Sequence, residues 1–89
     1  MNVGVILIGN RAESAVQVQT ILTKNGDMIG TRLGLNRQVG SNEDASGFIF
    51  MELSGDNQRI NGLMTELNKV HNVTAQTMEV QLPDRSCLD

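Results

Sequence analysis

The stretch SGFIFMEL, residues 46–53, decides the fold and holds the only two aromatic residues of the chain. Its apolar run begins at Phe48 and ends at Leu53, which is short for a helix. The run is rich in β-branched and aromatic residues and is bounded by glycine on both sides, which is typical of a central β-strand. The sequence therefore predicts a strand in the middle of a sheet.

The two faces of this strand differ in one residue type. Side chains alternate between the faces of a strand. One face takes Ile49, Met51 and Leu53, and the other takes Phe48, Phe50 and Glu52. Burying a lone carboxylate beneath helices is costly, so we expect the face with Glu52 to be the open one. Phe48 and Phe50 then form an exposed apolar patch, which is typical of an interaction site.

The rest of the chain supplies a second central strand, two helices and two further strands. Strands are predicted over about 3–8, 27–37 and 73–82, and a flexible hairpin loop over 40–44. Helices are predicted over about 11–24, with Asn10 as N-cap, and from Asp56, where apolar residues recur at helical spacing up to Val70. The order β-α-β-β-α-β predicts an α+β, ferredoxin-like fold: a four-stranded antiparallel sheet with two helices on one face.

Length and composition limit the remaining possibilities. Eighty-nine residues form one small domain, predicted over 1–82, and the polar segment 83–89 is expected to be a disordered tail. The net charge of −3 argues against general nucleic-acid binding. A single cysteine, Cys87, and the lack of a signal peptide or membrane span predict a cytoplasmic protein with no membrane contact.

No catalytic or metal-binding constellation is evident in the sequence. His71 and Cys87 are the only soft metal ligands, and the carboxylates are dispersed, so we expect no metal, no cofactor and no enzymatic activity. The strand GFIFM is similar to the aromatic signature of RNA-recognition domains, but Ser46 stands where a cation is expected. A ferredoxin-like nucleic-acid-binding module or a small enzyme is the alternative to a regulatory role.

Several segments together carry a family resemblance. They are RAE at 11–13, IGTRLG at 29–34, INGL at 60–63 and VHNV at 70–73. On these segments the chain resembles the iron-only hydrogenase system regulators, which are small ACT-like proteins. It departs from them at Asn36, where proline is usual, and at Asn72, where glycine is common. The resemblance implies an ACT-like fold and a regulatory role, exercised by binding a protein partner or a small effector without a DNA-binding element of its own.

Two sets of site residues follow as predictions. In ACT domains ligands bind near the first loop at a subunit interface, which points to Gly9, Asn10 and Arg11 as effector contacts; backbone N–H groups at a helix start also receive carboxylates well. The second set is an oligomer interface on the open face. It comprises Phe48, Phe50, Gly30, Arg32 and Gly34, on the expectation that Arg32 pairs with Phe50. We expect a homodimer or a larger even assembly.

Overall fold

The fold is a four-stranded antiparallel sheet with two helices, as the order of elements predicts. A computed structural model describes residues 1–9, 12–36, 47–81 and 83. The elements are β1 (Asn2–Ile8), α1 (Ala12–Lys24), β2 (Ile29–Asn36), β3 (Gly47–Leu53), α2 (Asn57–Asn68) and β4 (Val73–Glu79). A short 3-10 helix, Gly26–Met28, precedes β2. The strands lie in the order β2-β3-β1-β4, which puts β1 and β3 in the centre and confirms the ferredoxin-like arrangement.

The core lies between the sheet and the helices. The predicted inner face of β3 is correct, because Ile49, Met51 and Leu53 are all buried. They pack in one cluster with buried side chains from β1, α1, the 3-10 helix, α2 and β4, and the partly buried Ile29 of β2 packs against this cluster. Its largest fully buried members elsewhere are Ile6, Val18, Leu22, Met28 and Leu67.

Helix α2 begins where the sequence predicts. Asp56 is its N-cap, and the Asp56 carboxylate accepts a hydrogen bond of 2.9 Å from the backbone N–H of Arg59. The apolar stripe of the helix is buried against the sheet, from Ile60 to Leu67. The predicted N-cap of α1, Asn10, lies outside the described residues, as do the loop at 40–44 and residues 84–89 of the predicted tail.

The register of β2 differs from the prediction because of a β-bulge. Ile29 pairs with Leu53, but the next pair is Thr31 with Glu52, so Gly30 is the extra residue. From there Arg32 lies opposite Met51, and Gly34 opposite Ile49. Directly paired residues project from the same face. Arg32 and Gly34 therefore face the helix side, and their predicted place on the open face is wrong.

Candidate functional site: the open face of the sheet

The face of the sheet away from the helices carries apolar side chains on all four strands, with Met78 as the contribution of β4. Its central row runs from Leu33 through Phe50 and Val5 to Gln76, each paired with the next across neighbouring strands. Leu7 is paired with Phe48 in the adjacent row. We call this surface the open face.

The apolar groups of the open face are exposed to an unusual degree. The exposed fraction is 57% for Leu33, 63% for Met78 and 41% for both Leu7 and Phe50. Phe48 is half-buried between its neighbours. An exposed apolar surface of this kind is typical of interaction sites.

Charge is nearly absent from the described part of this face. Glu52 is the one charged side chain that the four described strands place there. It lies at one end of the sheet, and its carboxylate accepts a hydrogen bond of 3.2 Å from the hydroxyl of Thr31. The interior of the face can therefore lose its water without removing an unpaired charge from solvent.

The predicted interface residues are only partly brought together. Phe48 and Phe50 lie on the open face, and their role as interface residues stays a prediction. Gly30 lies at the bulge, where a side chain would come within 3.5 Å of the Glu52 carboxylate. Arg32 and Gly34 lie on the opposite side. Sequence reasoning missed Leu33, because alternation along β2 put it on the helix side with Ile29, and only the bulge moves it to the open face.

The predicted effector site is described only at Gly9. Its backbone N–H donates a hydrogen bond of 2.8 Å to the carbonyl of Asn72, and an added Cβ would lie 2.5 Å from the Asn72 amide nitrogen. Ser14 of α1 stabilises the turn between α2 and β4, because its buried hydroxyl donates a hydrogen bond to the backbone carbonyl of His71. Asn10 and Arg11 lie outside the described residues. Gly9 thus permits the close approach of two chain segments, and its role in ligand binding stays a prediction.

A shallow depression of about 690 Å³ lies beside this turn, lined among others by Gly9, His71, Asn72 and Thr74.

Within the described ranges, no three side chains of His, Cys, Asp or Glu are close enough together to hold a metal ion. None of the described helices is long and apolar enough to cross a membrane.

These features define a class: a small ferredoxin-like domain whose sheet has one face covered by helices and one apolar face left open. No protein-family model matches the chain. No curated protein sequence matches it either.

Solved structures do match. One is described as an uncharacterized protein from Thermotoga maritima; it is 24% identical, the alignment covers 90% of this chain and 95% of that one, and the TM-score is 0.77. Another is described as a dimeric ferredoxin-like protein of unknown function from Thermobifida fusca, with 12% identity, coverage of 90% and 92%, and a TM-score of 0.47. The first likeness establishes the fold. The TM-score of the second structure is too low for it to bear on the assembly of this chain.

Proposed function

We propose that this chain is a non-catalytic regulatory domain of the ACT-like type that works as a homodimer, or a larger even assembly, joined through the open face. The observation that carries the proposal is the exposed apolar surface around Phe50. The resemblance of segments such as IGTRLG at 29–34 to the iron-only hydrogenase system regulators supports the regulatory role. A cytoplasmic setting belongs to the same proposal.

The size of the open face suits a second copy of the chain. Strands of seven residues in a four-stranded sheet span roughly 24 Å by 19 Å, on the order of 450 Å² in projection. The relief of the side chains adds to this area. Specific interfaces begin at about 600 Å² of accessible surface per partner. A two-fold axis would set the same apolar surface on both sides, which makes it self-complementary.

The apolar gain is sufficient for a dimer of modest affinity. Leu7, Leu33, Phe50 and Met78 together expose the equivalent of about two whole side chains, worth roughly 3–6 kcal/mol per subunit when buried. Two subunits gain about twice that amount, against an association cost of about 4 kcal/mol or more. The net gain is at most about 8 kcal/mol, which corresponds to dissociation in the micromolar range or weaker.

Charge favours a second copy over a nucleic acid. The described cations Lys24, Arg32, Arg59 and Lys69 lie on the helices, in the turn after α2 or on the helix side of β2. A nucleic acid binds through phosphate contacts to lysine and arginine, and a stacking surface without them lacks most of the affinity.

The molecular mass in solution tests the assembly. Light scattering over a concentration series from micromolar to millimolar should give a mass that rises toward twice the mass of one chain. Phe50→Asp should give a folded monomer, because two carboxylates would be buried at the interface without partners. Val16→Asp is the matched control, since Val16 is 65% exposed on α1, away from the sheet; its mass should not change. A monomeric parent protein, or a folded Phe50→Asp dimer, would contradict the proposal.

The effector is tested separately. If Gly9, Asn10 and Arg11 receive an amino-acid carboxylate, one or more of the common amino acids at millimolar concentration should raise the thermal midpoint. Arg11→Ala should abolish that increase while the mass stays unchanged. If none of the amino acids stabilises the protein, this ligand class is excluded, although the dimer prediction is unaffected.

A further inference from the structure

Strand β4 is an edge of the sheet, and its backbone groups alternate between the sheet and the outside. The N-terminal nitrogen of Met1 donates to the carbonyl of Val80 at 3.0 Å, and the N–H of Val80 donates to the carbonyl of Met1 at 2.7 Å. Val80 therefore points its backbone groups toward β1. By alternation, Ala75, Thr77 and Glu79 point theirs outward, where a further strand could pair.

One of these outward positions is already occupied by a side chain. The amide nitrogen of Asn68 donates to the carbonyl of Ala75 at 2.9 Å, and the amide oxygen of Asn68 accepts from the N–H of Ala75 at 2.9 Å. The same amide nitrogen also donates to the carbonyl of Met64 at 2.9 Å, which anchors it to the last turn of α2. The side chain thus makes the two hydrogen bonds that an adjacent strand would make.

We propose that Asn68 is an edge guard: its amide occupies the outward hydrogen-bonding groups of β4 at Ala75 and blocks the addition of a strand from another molecule. An exposed, unbulged edge is a template for association between chains. The register of β4 with β1 is regular over seven residues and β4 carries one charge, Glu79, at its end. Without Asn68, little else in the described strand would oppose pairing.

The opposite edge of the sheet is protected by different means. The bulge at Gly30 disrupts the regular spacing of β2, and Arg32 projects a charge from the same strand. Bulges and charges are both common ways to discourage edge-to-edge pairing. The role of Asn68 does not depend on the proposed dimer, since an edge guard is equally useful to a monomer.

Hydrogen exchange on the unaltered protein tests the geometry directly. The amide of Ala75 is bonded to Asn68, whereas the amide of Thr77 points outward at the edge. We expect the amide of Ala75 to exchange at least about tenfold more slowly than that of Thr77. Equal exchange at the two positions would overturn the proposal, because it would mean that Asn68 does not hold Ala75 in solution.

The second test asks whether the guard limits association. Asn68→Ala is made in the Phe50→Asp background, so that pairing through the open face is disfavoured and any new association comes from elsewhere. Asn61→Ala in the same background is the control, because Asn61 is exposed on the same helix and makes none of these hydrogen bonds.

In the Phe50→Asp background, we expect the molecular mass to rise with concentration for Asn68→Ala but not for Asn61→Ala. We also expect Asn68→Ala to lose the protection of the Ala75 amide from hydrogen exchange. A folded Asn68→Ala protein with the same mass as its control would refute the blocking role. If the variant does not fold, Asn68→Ser, which keeps one polar atom, is compared in the same way. Failure of the proposed dimer would be visible separately, as a monomeric parent protein.

Discussion

Truncating Leu33 to alanine should weaken the dimer strongly while leaving each subunit folded. The change removes three carbon atoms, worth about 2.4 kcal/mol at roughly 0.8 kcal/mol per buried CH₂. Leu33 is 57% exposed in the isolated subunit, so about 1.4 kcal/mol of that amount is gained only on association. A two-fold interface contains the residue twice. The predicted loss is therefore about 2.8 kcal/mol, or roughly a hundredfold in the dissociation constant.

Sedimentation equilibrium measures that constant, and urea unfolding at low protein concentration measures the subunit. The already buried part of Leu33 predicts a loss of about 1 kcal/mol in the free energy of unfolding of the monomer. The neighbouring substitution Arg32→Ala is the control, because Arg32 projects from the other face of the same strand. It should leave the dissociation constant nearly unchanged.

The comparison also tests the bulge. Without the extra residue Gly30, Arg32 would lie opposite Phe50 and Leu33 would face the helices. Leu33→Ala would then mainly destabilise the fold, and Arg32→Ala would alter the dimer. A dissociation constant that responds to Arg32 but not to Leu33 would refute the register, and one that responds to neither residue would refute the interface.

Further predictions concern the fold that supports this face. Leu67→Ala, at a fully buried position, should lower the free energy of unfolding in urea by about 2–5 kcal/mol. Asn72 has a φ of 69°, so Asn72→Gly should be nearly neutral and Asn72→Ala should cost on the order of 1 kcal/mol in the same assay. The hydrogen bond and the charge of Arg59 lower the pKa of Asp27 from 3.8. The Asp27–Arg59 pair therefore stabilises the folded state at pH values above 3.8, and this stabilisation is lost as the pH falls through the lower pKa of the folded state. The difference in urea midpoint between the parent protein and Asp27→Asn should therefore vanish in strong acid.

The sequence was informative wherever a periodic pattern coincided with burial. Alternation along β3 predicted that Met51 and its same-parity neighbours face the helices, and the carboxylate of Glu52 indicated which face is open. Helical spacing and a capping residue predicted the start of α2 at Asp56. These features are local, because each depends on the period of one element and on the cost of burying a polar group. The predicted effector contacts Asn10 and Arg11 lie outside the described residues, and the regulatory role stays a proposal.

Only the tertiary structure determined which residues of neighbouring strands pair and which side chains contact the edge of the sheet. The predicted pairing of β2 with β3 is correct at Ile29 but fails from Thr31 onward, because one extra residue at Gly30 moves every later side chain to the other face. A period of two contains no information about such an insertion. The partnership of Asn68 with Ala75 is equally invisible, since it depends on where the end of α2 meets an edge strand that begins after the next turn. The residues alone determined the elements and the buried face of β3; their packing determined that Leu33, and not Arg32, shares the open face with Phe50.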